Sequence, residues 1–182
     1  MDYVSWYSVT PEFVAKRIAA RMACNIVVDG FCGAGGNSIQ FASTCDAVYA
    51  IDNNENRLRC AKNNAAVYGA SNIEFILGDV FAIVPLLIAD CVFMSPPWGG
   101  PEYSKKLTFD FSDLDSLSGF KILSMAAKSS KNIGILLPRN ISHGQILDGC
   151  RNFNGWPCEI ENFFLGNQHK LCTVYFNDLT KF

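Results

Sequence analysis

Val27-Val28-Asp29-Gly30-Phe31-Cys32-Gly33-Ala34-Gly35-Gly36 is the stretch whose reading decides the fold. Residues Asn25 to Asp29 read as a buried strand, Gly33 to Gly36 as a turn, and Asn37 to Ser43 as a helix. Glycines at such a turn permit a tight reversal and a close approach of backbone to a ligand. Taken alone, the turn fits a dinucleotide site or a plain strand-to-helix connection. It is followed by no Gly-Lys-Ser/Thr, which excludes a phosphate-binding P-loop.

Outward from this turn, short apolar runs alternate with amphipathic helical ones. Thr10-Pro11-Glu12 predicts a helix start, with Thr10 as the cap and Pro11 in the first turn. Phe13, Val14, Ile18 and Met22 then recur at helical spacing. Further strands are expected at Ala47–Asp52, Ile73–Leu77, Asp90–Met94 and Asn132–Leu137. Helices are expected at Glu55–Tyr68, stopped by Gly69, at Leu117–Lys128 and at Ile141–Gly149, with a short helix or loop over Val80–Ile88. Glu159–Leu165 and Leu171–Phe176, joined by Gly166-Asn167-Gln168-His169, form a closing antiparallel hairpin. The expectation is one Rossmann-like α/β domain over residues 1–182, with a seven-stranded, mostly parallel sheet.

Three acids fall at the ends of the first three strands. Asp29 ends the first, where a carboxylate would repel a pyrophosphate and attract a cationic cofactor end such as a methionyl ammonium or sulfonium. Asp52, twenty-three residues on, can accept from both hydroxyls of a ribose. Asp79, after Gly78, can accept from an adenine amino group. Each acid alone is as well explained as a cap or turn residue. Together, with Gly33 and Gly35, they converge on the crevice where such sheets bind ligands.

The fourth strand runs into Ser95-Pro96-Pro97-Trp98-Gly99-Gly100. A polar residue, two prolines and an aromatic at this place are the signature of class I S-adenosylmethionine-dependent amino-group methyltransferases. The chemistry accounts for the residue types. A ring-conjugated amine is a poor nucleophile, because its lone pair is delocalised. Rigid prolines fix backbone carbonyls that accept the amine hydrogens. Trp98 can stack on the base and fix its plane. The donor is already activated, so proximity and orientation suffice, and the proton released after transfer can pass to Ser95 or water.

From Trp6 to Asp178 the chain resembles trimethylguanosine synthases, the cap hypermethylases. The likeness is carried by Trp6-Tyr7-Ser8-Val9-Thr10-Pro11-Glu12, by the glycine-rich turn through Asn37, and by Ile39-Gln40-Phe41-Ala42. Asn63-Asn64-Ala65, Val67-Tyr68-Gly69, Ser95-Pro96-Pro97-Trp98-Gly99-Gly100-Pro101 and Leu137-Pro138-Arg139-Asn140 extend it. The resemblance implies transfer of methyl groups from S-adenosyl-L-methionine to N2 of 7-methylguanosine in caps of small nuclear and nucleolar RNA, leaving S-adenosyl-L-homocysteine. It implies that Trp98 stacks on the cationic 7-methylguanine, a contact worth about 2 kcal/mol when desolvated. Ser95 and Pro96 would hold N2, and Thr10 would join Asp29, Asp52 and Asp79 at the cofactor. Arg139, with Asn140 beside it, would reach the cap phosphates, which suit a guanidinium fork. Lys105 and Lys106 follow the motif and fit a solvated loop better than a phosphate site. Longer members carry a small helical lobe ahead of the catalytic domain, whereas nine residues precede Thr10 here. The alternatives are the same chemistry on guanine N2 or adenine N6 of ribosomal RNA, and a non-catalytic RNA-binding module.

Composition narrows the setting. Of 182 residues, 49% are hydrophobic and 18% charged, a globular balance. Net charge is −2, so RNA contact must rest on a local pocket rather than a basic field. Eight cysteines without a CxxC pair read as reduced core thiols, and two histidines make a zinc site improbable, so no metal is expected. The chain opens with Met1-Asp2-Tyr3 and lacks a basic patch followed by an apolar stretch, so no secretory signal is expected, and the longest apolar runs, such as Ile83–Ala89, are too short to cross a bilayer. An intracellular protein is expected, nuclear and possibly also cytoplasmic by the resemblance. The oligomeric state is not specified by the sequence, and a monomer is favoured.

Overall fold

A computed structural model of the chain describes residues 8–99, 107–112, 117–152 and 155–180. Its strands are β1 (Ile26–Gly30), β2 (Ala47–Asp52), β3 (Ile73–Leu77), β4 (Cys91–Met94), β5 (Ile133–Pro138), β6 (Cys158–Leu165) and β7 (Gln168–Phe176). Its α-helices are α1 (Glu12–Arg21), α2 (Gly36–Phe41), α3 (Glu55–Tyr68), α4 (Val80–Ile83), α5 (Gly119–Ala126) and α6 (His143–Asn152). The strands form one sheet in the order β3-β2-β1-β4-β5-β7-β6. β1 to β5 are parallel, and β7 runs antiparallel between β5 and β6. This is the expected architecture.

Central strands buried on both faces need continuous apolar sequence. Cys91-Val92-Phe93-Met94 and Ile133 to Pro138 supply it, and every residue of both is buried. On one face α1 and α2 pack Val14, Ile18, Met22 and Phe41 against Val27, Val48 and Phe93. On the other, α5 and α6 bring Ile122, Leu123 and Ile146 against Val28, Val92 and Ile135. Each fully buried side chain of this size contributes about 1.5–3 kcal/mol of hydrophobic free energy. All eight cysteines are free thiols, five of them buried. Burial pushes the Cys172 thiol up to about 12.

The ends of several elements differ from expectation. α1 is capped by Pro11, whose carbonyl accepts from the Val14 and Ala15 amides at 2.9 and 3.0 Å. Thr10 makes no cap, because its hydroxyl is engaged elsewhere. α6 begins two residues later than expected, since Ile141 pairs as an isolated bridge with Phe109. The hairpin is tighter: Gln168 and His169 belong to β7, leaving a two-residue turn with Gly166 at φ +57°. A two-residue hairpin turn needs positive φ at its first centre, which glycine supplies. The span from Val80 resolves into α4 and a 3-10 turn, Val84–Leu86.

A buried guanidinium ties α1 to the hairpin. Arg21, with 1% of its side chain exposed, donates to both carboxylate oxygens of Glu159, to Glu161 and to the Leu179 carbonyl. Its guanidinium carbon lies 3.8 Å above the Tyr175 ring. Only a fork of donors could serve this many acceptors while stacking on a ring.

Candidate active site

Parallel register collects the candidate residues on one edge of the sheet. Gly30 is paired with Ile51 on one side and Met94 on the other, Asp52 with Leu77, and Met94 with Ile135. The carboxyl ends of five strands therefore lie together. Strand order reverses between β1 and β4, the place where open α/β sheets form a crevice. Asp29, Asp52, Asp79, Ser95 to Trp98 and Arg139-Asn140 all stand at or just beyond this edge.

The glycine-rich turn is held by its own backbone and by two neighbours. The Cys32 amide donates to the Ile51 carbonyl and the Gly35 amide to the Cys32 carbonyl, each at 2.9 Å. The Gly33 amide donates to Asp52 Oδ2 at 2.9 Å. From α3, Asn64 Nδ2 donates to the Ala34 carbonyl at 2.9 Å. Gly35 has φ +84°, and a Cβ there would lie 3.1 Å from Ala61 Cβ, so glycine is needed both for its angle and for the closeness of α3. Phe31, without that freedom, still takes φ +64°. Such a conformation costs a non-glycine residue about 1–2 kcal/mol and persists only where the surroundings impose it.

Asp29 is wholly buried. Its Oδ2 accepts from the Ser38 hydroxyl at 2.5 Å, and its Oδ1 has no hydrogen-bond partner. Burial raises its pKa to about 7; the Ser38 bond opposes this and the Asp52 charge adds to it. An unsatisfied acceptor in a dry site is costly unless a donor arrives. A cationic amine is the chemical class that satisfies it best. This is what the methionyl end of S-adenosylmethionine carries, and the residues present fit that cofactor.

Asp52 is 6% exposed, and both its oxygens take backbone amides: Oδ2 from Gly33 and Oδ1 from Asn54, each at 2.9 Å. These bonds fix the carboxylate plane and leave one lone pair on each oxygen for a diol. Asp79 is exposed and caps α4, with Oδ1 accepting from the Phe81 amide at 2.9 Å. The cap occupies Oδ1 and leaves Oδ2 clear of it. Thr10 is buried, and its hydroxyl accepts from Asn37 Nδ2 at 2.9 Å, which docks the segment before α1 onto the first turn of α2.

Past β4, the Ser95 amide donates to the Gly30 carbonyl at 3.2 Å, tying the proline motif to the glycine-rich turn. Pro96 is buried, Ser95 and Trp98 are half-buried, and Pro97 is exposed. Trp98 packs on both cores and donates Nε1–H to the Leu136 carbonyl at 3.3 Å, so the ring is anchored by one edge. Gly99 follows at φ +85°. Arg139 is exposed after β5 and makes no ion pair or hydrogen bond among the described residues. The Asn140 carbonyl accepts from the Phe109 amide at 2.7 Å, which lays the segment after the motif beside the Arg139 loop. Trp6, Tyr7, Gly100, Pro101, Lys105 and Lys106 lie outside the described residues.

The profile of the RNA cap guanine-N2 methyltransferase family matches residues 24–179. This chain belongs to that family. The trimethylguanosine synthase of Schizosaccharomyces pombe is 36% identical over an alignment of 188 positions, covering 97% of this chain and 77% of that protein. The trimethylguanosine synthase of Saccharomyces cerevisiae is 36% identical over 162 positions, covering 82% of this chain and 51% of that protein, so the chain spans about half of that relative's length. The fold is shared more widely. An rRNA methylase from Streptococcus thermophilus superposes with TM-score 0.60 at 15% identity, over 94% of this chain and 98% of that one. A magnesium protoporphyrin IX methyltransferase from Synechocystis, solved with S-adenosylhomocysteine (SAH) bound, superposes with TM-score 0.67 at 14% identity, over 92% and 83%. The chain is a class I, S-adenosylmethionine-dependent RNA cap guanine-N2 methyltransferase. The family match selects this over the ribosomal-RNA and adenine alternatives.

Sequence reasoning missed three supporting residues. Among the described residues Ser38 is the sole donor to Asp29, Asn37 holds Thr10, and Asn64 holds Ala34. A faint signal existed for the first two: polar residues at the second and third positions of a helix that opens on glycines face the preceding turn.

Proposed function

We propose that this chain methylates N2 of 7-methylguanosine caps through the residues at the β1–β4 crevice, carrying small nuclear and nucleolar RNA caps to the 2,7-dimethyl and 2,2,7-trimethyl forms in the nucleus. The observation that carries the assignment of roles is the half-satisfied, fully buried carboxylate of Asp29, on the strand next to the one that leads into a proline–tryptophan motif bonded back to Gly30.

S-adenosylmethionine supplies an activated methyl on a sulfonium. Asp29 accepts from the cofactor's ammonium, Asp52 from its ribose hydroxyls and Asp79 from its adenine amine, while Gly33 and Gly35 keep side chains out of the turn. Thr10 closes the cofactor side. Trp98, anchored through Leu136, offers its face to the cationic base. The carbonyls of Ser95 and Pro96 accept the N2 hydrogens and localise the lone pair, and Pro97 stiffens the motif. Arg139 and Asn140 meet the cap phosphates. The described strands all belong to one sheet, which supports reading residues 1–182 as one catalytic domain.

The test is the position of the new methyl group. Capped RNA is treated with the chain, digested to nucleosides and compared by mass and retention with N2-methylated standards. Methylation at N2 of the cap supports the reading; a methyl at any other atom or an internal guanosine contradicts it.

A further inference from the structure

We infer that the tip of the β6–β7 hairpin is a second RNA contact, which holds the nucleotides that follow the cap; this rests on the cap-phosphate role proposed for Arg139. Pro138 of β5 is paired with Leu171 of β7 in antiparallel register. Arg139 follows Pro138 and Lys170 precedes Leu171, so both stand just past this last pair, at the same edge of the sheet as the proline–tryptophan motif. The hairpin tip therefore continues the surface on which the cap phosphates would lie.

The tip has the composition of a single-strand contact. Phe164 is 55% exposed and Leu165 60% exposed, at the end of an edge strand where nothing of this chain covers them among the described residues. A register shift between Phe163 and Phe164 turns the strand: Phe163 stays in the core while Phe164 pairs with His169. The Phe164 and His169 rings stack at 5.0 Å with 27° between their planes. His169 Nε2 is buried, so this ring serves as the brace behind Phe164 rather than as a contact of its own. Among the described residues Lys170 is held only by Gln168 Oε1, at 2.8 Å, and meets no carboxylate there. From Asn162 to Lys170 the chain has no acidic residue.

An exposed ring braced by a second ring, flanked by an unneutralised cation, suits a stacked base and its phosphate. The occupant is the RNA chain attached to the cap, because the hairpin tip lies at the same end of the sheet as the motif and Arg139 and carries the cation and ring that a single strand needs. An overall charge of −2 makes a local contact of this kind necessary for length-dependent affinity.

The experiment compares two acceptors, 7-methyl-GTP and a capped single-stranded RNA of about ten nucleotides, with the full chain and with Phe164→Leu, Phe164→Trp and Lys170→Ala. The KM for the RNA is expected to rise roughly tenfold in Phe164→Leu, and to stay within about twofold of the parent in Phe164→Trp, which keeps a stacking face. Lys170→Ala should make the dependence of log KM on log salt shallower by about 0.7 for the RNA. The KM for 7-methyl-GTP should not change in any variant. Equal effects on both acceptors, or no effect on either, would overturn the second contact while leaving the cap reading in place. Failure of the parent chain to methylate 7-methyl-GTP and the capped RNA would instead remove the cap reading, and the second contact with it.

Discussion

The Ser38 hydroxyl donates to one oxygen of Asp29, and the other oxygen, equally buried, has no donor. The carboxyl group is thus one donor short in a dry site, which penalises its ionised form. Its pKa, raised to about 7 by burial, makes this visible as a pH dependence of stability. As pH rises from about 4 to about 7, the unfolded chain gives up this proton before the folded one does. The cofactor-free protein should therefore lose stability across that window, by up to about 4 kcal/mol for a shift of this size. Bound SAH, whose ammonium favours the ionised form, should flatten the loss. Thermal unfolding at pH 5 and pH 8, with and without SAH, checks this; a cofactor-free protein more stable at pH 8 contradicts it.

The same group should govern cofactor affinity. Below pH 7 the Kd for SAH should rise about tenfold per pH unit, because the proton on Asp29 must leave before the ammonium is accepted. Asp29→Ala should weaken binding by about 2–3 kcal/mol at pH 8 and abolish this slope. Ser38→Ala should shift the break to higher pH, since the hydroxyl favours the ionised carboxylate. Calorimetric titration between pH 5.5 and 8.5 tests all three; an unmoved break in Ser38→Ala would sever the link between the two residues.

Trp98→Ala should cost about 1–3 kcal/mol in kcat/KM for the capped acceptor through loss of stacking, with SAH affinity near normal. Because Trp98 also packs on both cores and bonds to Leu136, some stability goes with it. Trp98→Phe separates the two roles: it loses the hydrogen bond and retains a ring. It should keep most of the acceptor preference, measured as the ratio of kcat/KM for 7-methyl-GTP over GTP.

Arg21→Ala should destabilise the fold by about 3 kcal/mol, because Glu159 and Glu161 lose their buried counter-ion and Tyr175 its stacking partner. Urea unfolding monitored by circular dichroism measures it. Methyl transfer at a temperature well below the transition should be unchanged, since the cluster lies on the α1–hairpin face rather than at the carboxyl edge.

Much of this was legible in the sequence, because it rests on local pattern. The strand–glycine–helix turn around Asp29, the acids closing β1 and β2, and the Ser95–Trp98 motif are each short, contiguous stretches whose residue types follow from backbone geometry. Thr10 shows where local pattern fails. Its position before a helix makes a good cap on propensity alone, yet its hydroxyl goes to Asn37, twenty-seven residues away. Helix ends such as that of α6 moved for a related reason, a bridge to Phe109 that only the tertiary fold creates. The clasp of Arg21 by Glu159 and Glu161 spans some 140 residues and leaves no trace in local composition. That Arg139 and Lys170 fall at one end of the sheet depends on the register of β5 with β7, which pairs Pro138 with Leu171 and which the hairpin boundaries alone did not specify.

The most direct measurement is the initial rate of methyl transfer from labelled S-adenosylmethionine to 7-methyl-GTP and to GTP under the same conditions. Both acceptors present the same N2 amine and differ in the positive charge that a tryptophan face attracts. The account predicts transfer to 7-methyl-GTP, with kcat/KM for GTP lower by about thirtyfold, the equivalent of a cation–π contact of about 2 kcal/mol. Equal rates on the two nucleotides would contradict the placing of the cap base on Trp98.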